Sequence, residues 1–196
     1  MNENIINNGY KAVDLYLPSG TLWAKQNIGA LRPYDYGLYF QWGSKVGYIE
    51  SQVGTSNGKM AFNGGICSKY KTAGSTLKLE DDAAHFHMGG EWHLPTPHQI
   101  KELINFTTSI WTKINGVNGR LFTSMKDKSK SIFIPAAGFA WDGSIQSSGS
   151  YGIILSSMLG MDNGDDVYGL FFHSDEAYLF DNIDRYFGHS LRGVIG

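Results

Sequence analysis

Cys67 is the only cysteine in the chain, so no internal disulfide can tie its loops together. Whatever backbone is irregular must be held by packing alone. The composition suits such packing, with 25 glycines and 14% aromatic residues against only 5 prolines. Large flat rings lock irregular backbone by contact area, and glycine lets the chain turn tightly between them. A lone thiol also agrees with assembly in a reducing compartment. At 196 residues, with 42% hydrophobic residues, the chain suits one domain with an ample core.

Sixteen basic and eighteen acidic residues give a net charge of −2, with the two signs interspersed. No Lys/Arg block supplies the stripe that neutralising phosphates requires, which argues against a nucleic-acid partner. No apolar run approaches the roughly 20 residues of a membrane-spanning helix. The opening Met1-Asn2-Glu3-Asn4-Ile5-Ile6-Asn7-Asn8 has neither a basic n-region nor an apolar h-region, so it does not read as a signal peptide. Residues 1–9 are instead expected to form a polar arm that contacts a neighbouring subunit. A single domain is expected over residues 10–196, with a variable loop region at 44–79 that lacks clear periodicity and carries short strands.

Local patterns place the elements. Tyr10 to Leu17 alternates as an opening strand, Pro18-Ser19-Gly20 turns the chain, and Leu22-Trp23-Ala24 continues it. Arg32-Pro33-Tyr34-Asp35 predicts the start of a helix carrying Tyr36, Leu38, Tyr39, Phe40 and Trp42 inward. Asp81 to Met88 predicts a short helix stopped by Gly89-Gly90. The clearest helix start has Thr96 as N-cap, Pro97 at the first helical position and Gln99 completing a capping box, with Ile100, Leu103 and Ile104 as the buried stripe. Trp111 to Phe122 predicts a hairpin turning at Asn115-Gly116 or Asn118-Gly119. Ile132-Phe133-Ile134 reads as a buried strand ended by Pro135. Further strands are expected at 152–156, 168–172 and 176–180, with 188–194 closing the sheet near the opening strand.

Four motifs occur in order: Val13-Asp14-Leu15 leading into Leu17-Pro18-Ser19-Gly20-Thr21-Leu22-Trp23-Ala24; Gly89-Gly90-Glu91-Trp92-His93-Leu94-Pro95-Thr96; Ser131-Ile132-Phe133-Ile134-Pro135-Ala136-Ala137-Gly138; and Gly188-His189-Ser190-Leu191-Arg192. Together they resemble the Fibrobacter succinogenes major paralogous domain, a family allied to the formylglycine-generating-enzyme branch of the C-type-lectin fold. The resemblance implies an α+β, C-type-lectin-like fold: two short helices around a twisted, mostly antiparallel sheet with long irregular loops. It implies a structural framework of Asp14, Gly20, Trp23, Trp42, Gly89, Gly90, Trp92, Pro95 and Arg192. The tryptophans are expected in the core, the three glycines at positive φ, and Asp14 and Arg192 as polar ties near the joined termini. Losing any of these is expected to unfold the domain.

Related lectin-like proteins carry their ligand contacts on C-terminal loops, which here means Tyr151 to Tyr186. The candidate ligand-binding residues there and just before are Trp141, Tyr151, Met158, Asp162, Asn163 and His173, followed by Asp175, Tyr178, Asn182, Arg185 and Tyr186. Rings supply rigid contact area while amides and carboxylates set orientation. The chain departs from the family here: Ile154-Leu155-Ser156-Ser157 stands where members show Tyr-Trp-Ser-Ser, and Ser190-Leu191-Arg192-Gly193-Val194 where they show Ser-Val-Arg-Pro-Val.

Catalytic patterns are thin. Formylglycine-generating enzymes depend on a pair of active-site cysteines near the C-terminus, and the C-terminal third of this chain has none. His85, His87, His93 and His98 are a conceivable nitrogen ligand set for zinc, but residues two apart on a helix point about 200° around its axis. Asp162-Asn163-Gly164-Asp165-Asp166 is oxygen-rich enough for calcium, yet lacks EF-hand spacing and the lectin triplets. Ser156-Ser157, His173 and Asp175 come without a nucleophile elbow.

The expectation is therefore a non-catalytic module with no catalytic residue, no resident metal and no required cofactor. Its expected setting is a larger assembly, foremost the surface of a bacteriophage virion infecting Bacteroidetes, with a bacterial cell-surface adhesion domain as the alternative and a formylglycine-generating-type enzyme as a remote one. Other protein subunits, a surface glycan or a surface protein are the expected partners.

Overall fold

The computed structural model describes residues 5–61, 69–162 and 164–196; Cys67 and Asn163 lie outside these. Strand β1 (Ile5–Asn7) and β2 (Tyr10–Asp14) form a hairpin, and β3 (Leu22–Ala24) pairs with β2. Asn8 and Gly9 both sit at positive φ, 48° and 82°, the requirement of a tight two-residue hairpin turn. The described part of the segment expected to be an arm for another subunit thus folds back on its own chain. Asn7 accepts the Trp92 indole N–H at 3.0 Å, Asn8 donates to the Met88 carbonyl, and the Tyr10 hydroxyl donates to the His87 carbonyl at 2.9 Å.

No helix forms over residues 32–42. Asp35 caps a turn, its carboxylate accepting the Arg32 N–H at 2.9 Å, and Gly37 then sits at φ 78°. A Cβ at Gly37 would stand 2.4 Å from the Ile28 carbonyl oxygen, so the chain passes through a conformation that a helix forbids. Tyr39–Phe40 becomes strand β4, paired with β5 (Gly47–Tyr48) on one side and with Ser190 and His189 on the other. The ring spacing that suggests a helix instead serves a strand whose partner lies about 150 residues away.

Among the described residues of the 44–79 region, β5 is joined by an isolated bridge at Thr76 and by helices. The region carries two short helices, α1 (Glu50–Val53) and α2 (Ser56–Ala61), and a 3-10 turn begins at its end, Leu79–Asp81. Helix α3 (Ala83–Met88) starts at Asp82, whose buried carboxylate accepts the N–H groups of Ala84, His85 and Leu94. One side chain therefore caps a helix and pins the following Gly89–Thr96 segment. Gly89 and Gly90 have φ 68° and 57°, and a Cβ on either would meet the Asn7-Asn8 side chains. Helix α4 (Pro97–Phe106) begins as its sequence dictates, with Thr96 and Gln99 forming the reciprocal capping box. Gln99 also donates to the Gly196 carbonyl at 2.6 Å, tying the chain's last residue to this helix.

After α4 the structure is nearly all antiparallel strand. β6 (Thr107–Ile114), β7 (Val117–Ser124) and β8 (Ser131–Pro135) make a meander, turning first at Asn115-Gly116. β9 (Phe139–Trp141) and β10 (Ser144–Gln146) form a small hairpin. β11 (Gly152–Leu159), β12 (Asp166–Phe172) and β13 (Ala177–Asp184) form a three-stranded sheet. β14 (His189–Ser190) pairs with β4, and β15 (Val194–Ile195) pairs with β3, bringing the described chain ends into one sheet. The described residues are thus α+β, with five small antiparallel sheets in place of the single twisted sheet expected, and four short α-helices in place of two.

Two cores flank the β11–β13 sheet. Ile153, Leu155, Leu159, Val167 and Ile183 face one that holds Trp42 and Trp92; Ile154, Leu170 and Phe172 face another that holds Trp23, Ile100, Leu103 and Phe122. The period-two alternation splits neighbouring residues between them, which is why β11 is buried on both faces. All three tryptophans are essentially fully buried.

Candidate recognition site

The alternation that buries Leu170 and Phe172 turns Phe171 the other way, and likewise Tyr178 and Phe180 opposite Leu179. These three rings are only half-buried, and they continue into a strip. Phe171 lies 5.4 Å from Tyr178, 6.0 Å from Phe180 and 5.1 Å from Tyr151. Tyr151 lies 6.2 Å from Phe139, which lies 5.2 Å from Phe187, which lies 5.7 Å from Trp141. Trp141 ends the strip at 45% exposed. Seven rings drawn from β9, β11's leading edge, β12, β13 and the segment before β14 thus form one connected surface.

Phe139 is held there by its neighbour. Gly138 has φ 62°, and a Cβ on it would stand 1.9 Å from the Gln146 carbonyl oxygen, so β9 and β10 can close only over a glycine. At the opposite end Arg120 of β7 fixes the β12–β13 turn. Its guanidinium donates to the carbonyls of His173 at 2.6 Å and Asp175 at 3.2 Å, while its Nε reaches Ser109.

Within the strip lies an open concavity of about 240 Å3, lined by Phe139, Tyr151, Ile153, Phe171, Phe180, Asn182, Ile183, Asp184, Phe187 and His189. Its polar groups are few. Asn182 is exposed; Asp184 is half-buried and accepts the Tyr186 N–H at 2.8 Å; His189 is buried. Burial foremost, then the nearby Asp166 and Asp165, raise the Asp184 carboxyl above the usual aspartate range. Burial pushes His189 down to about 4, so its imidazole is neutral at pH 7. Its Nε2 lies 3.3 Å from the Asp184 backbone carbonyl, and a carbonyl only accepts, so Nε2 carries the proton. Nδ1 is then an acceptor, sealed from solvent and without a partner among the described residues.

Two larger concavities lie elsewhere. One of about 590 Å3 separates the Gly9–Lys11 turn from residues 24–33, and one of about 440 Å3 lies beside Tyr34–Gly37, Ile49 and Glu50. Among the described residues, none that lines either has a buried side-chain polar atom left without a partner.

Of the residues singled out in the sequence, Trp141, Tyr151 and Tyr178 belong to the strip, His173 adjoins it at 5.9 Å from Phe171, and Asn182 lines the concavity. Asp175 is exposed on the turn that Arg120 holds. Met158 and Asp162 sit toward the other end of the sheet, where Met158 bridges to Thr76. Arg185 has a different place from the exposed ligand contact expected: it is buried, and its guanidinium donates to the carbonyls of Lys69, Tyr70 and Gly164. The Tyr186 hydroxyl donates to Asp165 at 2.5 Å. Asn163 is outside the described residues.

Sequence reasoning misses Phe139, Phe171, Phe180, Phe187, Asp184 and His189. The register of Phe171, Tyr178 and Phe180 is legible as period-two alternation; the place of His189 is not, because its motif reads as framework.

Among framework residues, Gly20 has φ 77°, Pro95 is buried with its carbonyl accepting the Ser157 N–H, and Arg192 is fully buried. Asp14 does not tie the termini; its carboxylate accepts the N–H of Tyr16 two residues on. The histidines considered for zinc scatter: His87 Nε2 pairs with the Lys45 carbonyl, His93 lies between the Leu94 and Gly196 carbonyls, and His98 is exposed 4.0 Å from Glu102. Among the described residues no three His, Cys, Asp or Glu side chains converge as a metal site. Ser156 Oγ pairs with the Met158 carbonyl, while His173 faces Asp175 and Glu176.

No protein-family model matches the chain, and neither a curated protein nor a solved structure does. None of the described helices is long and apolar enough to cross a membrane.

Proposed function

We propose that this chain is a non-catalytic recognition module that binds its ligand on the aromatic strip running from Trp141 to Tyr178. The observation that carries this reading is the strip itself. Seven rings form one chain of contacts drawn from β9, β12, β13 and the segments before β11 and β14; Tyr151, Phe171 and Phe180 carry the edge of the first core out to the surface, and Trp141 ends the chain exposed. Contiguous exposed apolar surface of this kind marks interaction sites. Its rim of Asn182, His173 and Asp175 supplies orientation without assembling a nucleophile and base.

The C-type-lectin-like architecture implied by the four motifs belongs to the same reading. It is supported by the pairing of β15 with β3 and by the half-buried rings on the C-terminal strands β12 and β13. The setting we propose is the surface of a larger assembly, a phage virion foremost. Neighbouring capsid or tail genes would support that setting; a surface-protein operon would point to the bacterial alternative.

The test is binding of the multivalent protein to an array of glycans and surface proteins, with Trp141→Ala alongside. Trp141 is exposed at the strip's end, so its removal leaves the fold intact. Capture that the variant loses supports the reading. Capture that is unaffected by Trp141→Ala, Tyr178→Ala and their combination overturns it.

A further inference from the structure

The concavity in the strip selects a narrower class of ligand than the strip does. Five rings, Ile153 and Ile183 make its wall apolar. The charged group in its lining is the half-buried Asp184 carboxylate, whose oxygens accept; Asn182 and the Tyr151 hydroxyl are the neutral polar groups beside it. Among the described residues no lysine or arginine lines it, and Asp165 and Asp166 add negative charge close to Asp184. A group that fits therefore donates hydrogen bonds, tolerates aromatic faces and is favoured by negative charge.

An alkylammonium meets all three conditions, with three N–H donors and cation–π attraction to the surrounding rings. Size decides between its sources. At about 240 Å3 the concavity is below the roughly 300–1,000 Å3 of ordinary small-molecule pockets, and so admits one side chain better than a saccharide. A lysine stem also matches the apolar wall, where the hydroxyls of an amino sugar would lack partners. We infer that this cavity receives the lysine side chain of a partner protein, its stem against the rings and its ammonium directed to Asp184; the inference rests on the recognition role proposed above and names the ligand.

The full chain is titrated with Nα-acetyl-lysine methylamide while the amide and side-chain resonances of residues 182–189 are followed by NMR. The same titration is run with the Nε-acetylated derivative and with glucosamine. The expected result is a saturable shift with the lysine probe, weakened roughly tenfold or more by Nε-acetylation, which removes the charge. Asp184→Asn, which keeps an acceptor for the Tyr186 N–H, is expected to weaken it similarly. The acetylation comparison needs no variant, so it stands even if Asp184→Asn fails to fold. No shift with lysine, equal affinity for the acetylated probe, or tighter binding of glucosamine overturns the inference. If the array finds a strip-dependent ligand and lysine still causes no shift, this inference alone falls; if the array also finds none, both fall.

Discussion

His189 donates its Nε2 proton to the backbone carbonyl of Asp184 at 3.3 Å, and its other ring nitrogen is buried without a partner among the described residues. One residue of the closing motif thereby joins β14 to the end of β13 beneath the aromatic strip. Its burial has a thermodynamic signature.

The folded pKa of His189 is depressed from 6.5 to about 4. Its neutral form is favoured in the fold, so its contribution is fully present above pH 6.5 and is lost as pH falls through 4. The full loss is on the order of 3 kcal/mol. Urea unfolding at pH 7.5 and pH 4.5, compared between wild type and His189→Phe, isolates this component from the carboxylates. The wild type is expected to lose more stability than the variant between the two conditions; equal losses contradict the burial argument.

Arg192 is also buried; its Nε pairs with Asn27 Oδ1 at 2.9 Å, and among the described residues both Nη atoms lack partners. Burial pushes its pKa down to about 9, so the cation is a cost at pH 7 that fades as pH rises above 9. Arg192→Met is expected to be tolerated, within about 1 kcal/mol of wild type, because an apolar side chain of similar length removes that cost. Asn27→Ala leaves the buried cation with no partner and is expected to cost about 2–3 kcal/mol. Thermal unfolding of the two variants tests the order. The sequence-based expectation that losing Arg192 unfolds the domain is the competing outcome.

Arg120 reaches from β7 to two carbonyls of the β12–β13 turn. Arg120→Lys is expected to cost about 2 kcal/mol, since an ammonium cannot reproduce the planar fork and leaves a carbonyl unpaired. Hydrogen exchange should accelerate at residues 173–177 more than in β11.

Thr96 caps α4 by accepting the Gln99 N–H at 3.2 Å. Thr96→Ala is expected to lower stability by about 1 kcal/mol, measured by urea unfolding, with Thr96→Ser restoring most of it.

Much of the scaffold is legible in local signals. The capping box at Thr96–Gln99, the Asn115-Gly116 turn, the stop at Gly89-Gly90 and the late strands each depend on residues within a few positions of one another. Their energetics are local, so a short window of sequence contains them. The stretch from Arg32 to Trp42 shows the limit: its ring spacing suits a helix, but Gly37 and the distant β14 strand make it extended.

The site is where sequence alone stops. It specified rings in the C-terminal third and the alternation that turns Phe171, Tyr178 and Phe180 to one face. Only the tertiary structure joined them to Phe139, Phe187 and Trp141, and set His189 and Asp184 under them. It also moved Arg185 from an expected ligand contact to an internal brace. The physical reason is that side chains far apart in the chain meet only after sheets pack, and whether a nitrogen is left without a partner depends on everything around it.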